Sequence, residues 1–170
     1  PGCNFFDGLT DMAPQVDWEI TEEETKDWLE EWKKGFKAFK LVDKYWVVPS
    51  WEPVPTDCPV PIFIDPGMAF GTGTHATTQM ASYLINKYSK QQSNLSTHTL
   101  LDVGTGTGIL GILARLQGFA SVKGLEVDPE AIRVAGENVT KNNITHFEIS
   151  GTPIEEVREA YDLVVANIID

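Results

Sequence analysis

Three glycines at alternate positions, Gly104, Gly106 and Gly108, directly follow the run Thr99–Val103, which is apolar except for Thr99 and Asp102. The run predicts a buried central strand of a parallel sheet. Glycines at this spacing let the backbone turn sharply and approach a ligand with no Cβ in the way. Ile109, Leu110, Ile112, Leu113 and Leu116 then resume at helical spacing, which predicts a helix packed back on the sheet. About 20 residues further on, a second strand, Ser121–Leu125, ends in Glu126, whose carboxylate can accept two hydrogen bonds from a ribose diol. A strand, glycine turn and helix followed by an acidic strand end form a nucleotide-type binding site.

The dinucleotide fingerprint is G-x-G-x-x-G, with its third glycine at the close contact between helix and strand. Here the spacing is G-x-G-x-G, Ile109 stands where that third glycine belongs, and Asp102 precedes the turn. Ile109 disfavours a nicotinamide cofactor. D-x-G-x-G-x-G with Glu126 resembles instead the S-adenosyl-L-methionine (SAM) site of Rossmann-like methyltransferases. A second glycine-rich stretch, Gly67 to Thr78, carries the hydroxyls of Thr72, Thr74, Thr77 and Thr78. Thr74 and Thr78 are one helical turn apart, so both face one side of the helix expected from Thr74 onward. An N-capping threonine accounts for one of these hydroxyls and not for the Gly-Thr repeat. His75 has no partner at metal-ligand spacing, and no metal site is expected.

The elements that position these residues are legible along the chain. Residues 1–19 read as irregular, and Thr21 with Glu24 forms a capping box. Trp28, Leu29, Trp32, Phe36 and Phe39 recur at helical spacing, with a break at Lys33-Lys34-Gly35. Tyr45–Val48 and Pro61–Ile64 read as short strands, separated by a proline-rich connector and closed by the turn Asp65-Pro66-Gly67. Ala76, Met80, Ala81, Leu84, Ile85 and Tyr88 give the next helix its apolar face. Asp128 and Pro129 start a further helix that Asn142-Asn143 ends. Phe147–Ile149 and Asp162–Ala166 are strands, and Ile154 to Ala160 reads as a short helix with Val157 inward. Alternation of strand and helix from Thr99 predicts an α/β fold with a doubly wound, mostly parallel sheet. Gly104, Glu126, Ser150-Gly151 and Asn167 then fall at carboxyl ends of strands and can line one crevice. Residues 1–60 read as a preceding segment and 61–170 as the N-terminal part of the nucleotide-binding domain.

Composition narrows the classes. Net charge is −12, from 25 acidic and 13 basic residues, which argues against direct nucleic-acid binding through a basic face and suits a basic partner. No run approaches the roughly 18 apolar residues of a membrane span. Cys3 and Cys58 form neither a disulfide framework nor a zinc motif, so a reducing cytoplasm is expected. The chain opens on Pro1-Gly2, which reads as a fragment.

Trp28…Trp32-Lys33…Phe36, Trp46-Val47-Val48-Pro49-Ser50-Trp51, the block Ile64 to Thr78, the glycine turn and Val164-Val165-Ala166-Asn167-Ile168 together resemble the PrmA family. These are class I, SAM-dependent methyltransferases of the eleventh large-subunit ribosomal protein. The resemblance implies that Thr78, Gly104, Glu126 and Asn167 contact the cofactor, with Gly106 of the same turn, and that Asn167 also faces the transferred methyl. Glu126 departs from the aspartate usual at its position. The resemblance further implies transfer to lysine side chains and an N-terminal amine of a basic ribosomal protein. The family sheet has seven strands and an N-terminal recognition domain. The chain is therefore expected to be truncated after the fourth strand, leaving an apolar edge, Leu163–Ala166, for a homodimer. A methyltransferase of another protein or small amine, and a non-catalytic SAM-binding module, fit the same residues.

Overall fold

The computed structural model describes residues 35–65 and 73–168. Its strands are β1 (Phe39–Val42), β2 (Tyr45–Val48), β3 (Val60–Phe63), β4 (Thr99–Val103), β5 (Ser121–Leu125), β6 (Phe147–Ser150) and β7 (Leu163–Ala166). Its helices are α1 (Ala76–Gln91), α2 (Ile109–Gln117) and α3 (Pro129–Lys141). The strands form a small sheet in the order β1-β2-β3 and a parallel sheet in the order β6-β5-β4-β7. The chain steps from β4 to β5 to β6 through α2 and α3, then returns to pair β7 on the far side of β4. Right-handed crossovers put α2 and α3 on one face and carry the β6–β7 connection over the other. The order of the parallel sheet therefore reverses between β4 and β7.

Local sequence explains the elements around this point. Ile109 through Ala114 of α2 are all buried, as expected of a helix set between two sheets. Asp128 caps α3 by accepting from the Glu130 amide at 2.9 Å, and Pro129 is its first residue. Phe36, Leu41, Tyr45, Val47 and Ile62 share one core with Leu100 and with Ile109, Ile112 and Leu113 of α2. The small sheet thus straddles the division drawn at residue 60 and is built into the same core.

Phe147 shows how closely α2 approaches the sheet. A Cβ on Gly111 would lie 2.2 Å from Phe147 Cζ, and one on Gly124 of β5 would lie 3.0 Å from Phe147 Cε2. The ring fills the space that two missing side chains leave. Gly111 therefore makes the close helix–sheet contact that the dinucleotide fingerprint assigns to another position.

Several sequence readings are corrected. Phe39 belongs to β1, paired with Val47 in an antiparallel hairpin, and not to a helix. Cross-strand pairing outweighs the helical spacing, and the edge-on Phe36–Phe39 contact, with ring centroids 6.2 Å apart, keeps both aromatics together. Thr21, Glu24, Trp28, Leu29 and Trp32 lie outside the described residues, as does the segment 66–72. The cap of α1 is His75, whose Nδ1 accepts from the Thr77 amide, rather than a threonine. The buried side of α1 is Thr78, Ser82, Ile85 and Asn86, while Met80, Tyr83 and Leu84 are more than half exposed. A polar seam against α2 sets this orientation: Gln117 donates to Asn86 at 3.1 Å and accepts from Ser89 at 2.6 Å. Only Ile154–Glu156 forms a turn of 3₁₀ helix where a longer helix was expected, and Val157 is half-buried. Too few apolar side chains in that stretch pack down to sustain a helix.

Gly111→Ala is expected to lower stability by about 2 kcal/mol, because overpacking against Phe147 outweighs the better helix propensity of alanine. Urea unfolding measures it, and Phe147→Leu added to the same chain is expected to recover part of the loss.

Candidate functional site

Gly104, Gly106 and Gly108 all adopt left-handed backbone, with φ of 69°, 54° and 80°. Three such residues in five are strained for any side chain, so the glycine spacing is a direct requirement of this path. The turn folds over the end of β5, where the Gly104 and Thr105 amides both donate to the Leu125 carbonyl at 2.9 Å.

Asp102 holds the turn from beneath. Its carboxylate is 1% exposed and accepts from the Thr105 hydroxyl at 2.7 Å and from the Gly111 amide of α2. Burial pushes its pKa from 3.8 up to about 6; those two hydrogen bonds pull the other way, and the nearby negative Glu126 adds to the rise. Glu126 stands at the end of β5, half-buried. Its Oε2 accepts from the Gly106 amide at 3.0 Å, and its Oε1 from the amides of Val127 at 2.9 Å and Asp128 at 3.2 Å. The longer side chain thus curls back onto the turn, and part of its capacity to accept from a diol is engaged by backbone.

Thr78 and Asn167 arrive from opposite ends of the chain. α1 buries Thr78, and the residue after β7 presents Asn167, whose Nδ2 donates to Thr78 Oγ1 at 3.0 Å. Thr78, Gly104, Thr105, Gly106, Ile109, Leu110 and Asn167 line one cleft. It opens beyond the carboxyl ends of β4 and β7, where the strand order reverses and open α/β sheets bind ligands. Gly108, the N-cap of α2, makes no side-chain cap, so the helix presents the positive end of its dipole beside this cleft. Four of the five expected residues meet there, and Glu126 reaches it through the Gly106 amide. Ser150 is one step removed, its carbonyl accepting from the Glu126 amide at 3.0 Å.

Sequence reasoning missed Thr105, the inward role of Asp102, and Ile168, whose Cγ1 would lie 3.0 Å from a Cβ on Gly104. The three-residue spacing of Asp102 and Thr105 is a local signal for the first two. Ile168 had none, because its contact is set by the pairing of β7 with β4.

The raised pKa of Asp102 has a definite sign. Between about pH 4 and 6 the folded chain holds a proton that the unfolded chain has released, so this residue's contribution to stability falls as pH rises and levels off above 6. Asp102→Asn keeps an acceptor for Gly111 and a partner for Thr105 without the charge. Its stability relative to the parent chain is expected to improve by up to about 3 kcal/mol from pH 4 to pH 7, followed by chemical unfolding across that range.

The family model described as "Ribosomal protein L11 methyltransferase (PrmA)" matches residues 6–170. A ribosomal protein L11 methyltransferase of Dictyoglomus thermophilum is 41% identical over 166 residues, covering 96% of this chain and 52% of that protein. One from Staphylococcus saprophyticus is 44% identical over 148 residues, covering 85% of this chain and 46% of the relative. The crystal structure of ribosomal protein L11 methylase from Lactobacillus delbrueckii subsp. bulgaricus matches with a TM-score of 0.68 and 34% identity, over 78% of this chain and 67% of that one. The chain spans about half the length of the curated relatives it matches. With its glycine turn, its acidic strand end and the cleft at the strand reversal all in place, this chain belongs to the PrmA family of ribosomal protein L11 methyltransferases.

Proposed function

We propose that this chain forms the SAM-binding part of an N-methyltransferase acting on the lysine side chains and the N-terminal amine of ribosomal protein L11, in the cytoplasm and without direct contact to nucleic acid. The convergence of Thr78, Gly104, Gly106 and Asn167 on one cleft carries the reading. The residues fit the cofactor: a bare glycine backbone admits close approach, the N-terminal end of α2 beside the cleft suits the methionine carboxylate, and Glu126 lies beside the turn for the ribose. When bound, SAM supplies an electrophilic methyl group.

The chain's own residues have two tasks. The first is to hold the cofactor, which falls to Gly104, Gly106, Glu126 and Thr78. The second is to aim the acceptor amine. A lysine amine has a pKa near 10.4, so only a small neutral fraction exists at pH 7, and withdrawal of the amine from water on binding favours that fraction. Asn167 is the orienting residue of this proposal. With its Nδ2 engaged by Thr78 Oγ1, its Oδ1 is left to accept from the amine and direct the lone pair. It changes no charge, and no general base is required beyond solvent.

Edge pairing is a further part of the proposal. β7 is the last strand of the parallel sheet among the described residues, and Val164 on it is 56% exposed. An unpaired apolar edge of this kind templates association, and a homodimer through it is expected. Light scattering on a concentration series is expected to show a dimer, and a monomer at every concentration rejects this part.

Glu126→Ala is expected to weaken SAM or S-adenosylhomocysteine binding about tenfold or more, read by calorimetry, with no competition from NAD. Asn167→Ala is expected to lower turnover on L11 roughly 10²-fold, followed with radiolabelled SAM, while cofactor affinity changes much less. Equal losses in both readouts make Asn167 a cofactor ligand alone.

A further inference from the structure

Asn138 of α3 and Asn142, the residue that caps its C-terminus, stand one turn apart, and both reach to backbone groups of other segments. Asn138 is 1% exposed. Its Nδ2 donates to the Thr107 carbonyl at 3.0 Å, and its Oδ1 accepts from the Asp65 amide at 3.0 Å. Asn142 takes both backbone groups of Phe63 in β3: its Oδ1 accepts from the amide at 2.8 Å and its Nδ2 donates to the carbonyl at 2.7 Å. Asn142 therefore fastens the small sheet to α3. Asn138 does something different, because one of its two partners lies inside the glycine turn.

Thr107 sits between Gly106 and Gly108, both left-handed. A residue flanked by glycines is the part of the turn with the most conformational freedom to lose on ordering. A buried primary amide is tolerated only when its polar atoms are satisfied, and both side-chain atoms of Asn138 are. Asparagine is also a poor helix former, so this position gains nothing for α3 itself. We infer that Asn138 is a positioning residue for the cofactor turn, holding Thr107 in its bound path and joining that path to the exit of β3 at Asp65. Asp65 is in turn fixed from its other side: its carboxylate accepts from the Ser50 amide at 2.8 Å and from the Ser50 hydroxyl at 2.5 Å, and pairs with Lys141. With both side-chain atoms of Asn138 engaged, the turn is ordered before the ligand arrives.

The inference rests on the reading of this turn as a SAM site, and S-adenosylhomocysteine is the probe. In calorimetric titrations Asn138→Ser is expected to weaken binding about tenfold, whereas Asn142→Ser, which cuts β3 loose without touching the turn, leaves affinity within about twofold. Asn138→Asp keeps an acceptor for the Asp65 amide and sets a carboxylate against the Thr107 carbonyl, so it is expected to bind at least as weakly as Asn138→Ser. Unfolding midpoints are read alongside, since a merely structural role makes affinity loss follow stability loss in all three variants. Hydrogen exchange on the unsubstituted chain gives a second test that needs no variant to fold. The ligand is expected to slow exchange of the Asp65 amide about fivefold and to leave the Phe63 amide unchanged. Equal behaviour of the Asn138 and Asn142 variants, or of the two amides, overturns the inference alone. Absence of binding by the unsubstituted chain overturns the cofactor reading and the inference with it.

Discussion

A carboxylate withdrawn from water, Asp102, is the joint between strand, turn and helix in this protein. Burial of a charge is costly unless hydrogen bonds and favourable dipoles offset it. Here the Thr105 hydroxyl and the Gly111 amide do so, and the N-terminal end of α2 adds its positive dipole. One donor lies inside the glycine turn and the other in the helix that follows it. Satisfying one carboxylate therefore closes the loop between β4 and α2, and the left-handed glycines are the backbone solution that this closure requires.

Packing then carries the same geometry outward. Phe147 occupies the space left by Gly111 and Gly124, so α2 lies close enough to the sheet for its first turn to border the cleft. Ile109 meets Gly73 in a similar way: a Cβ there would lie 2.7 Å from Ile109 Cδ1. The start of α1 is thereby set against the start of α2, and Thr78 is carried to Asn167. The site is a meeting of helix starts and strand ends, each brought there by a small residue facing a large one.

Next to the site is a surface of the opposite character. Met80 and Leu84 of α1 and Val164 of β7 border a groove of about 400 Å³, where an apolar helix face and a sheet edge stand side by side without partners among the described residues. Met80 and Leu84 keep the helical spacing of an apolar face and are exposed all the same. The seam of Asn86, Ser89 and Gln117 explains how a helix comes to present its polar side inward: those side chains satisfy one another across α1 and α2.

By itself the sequence determined the strand, turn and helix around Gly104, the acidic end of β5, the start and end of α3, and the family. These features rest on adjacent residues, and glycine spacing, caps and short apolar runs act over a few bonds. Only the tertiary structure decided which face of α1 is buried, that Phe39 pairs in a hairpin, and that Thr78 and Asn167, 89 residues apart, share a hydrogen bond. It also decided that Asn138 serves the turn rather than only its own helix. Each of these depends on which elements become neighbours, and hydrophobic periodicity carries no record of a partner's identity. A helix face of Thr, Ser and Asn reads as solvated until its partners are in place: Asn167 for Thr78, the helix's own carbonyl for Ser82 and Gln117 of α2 for Asn86.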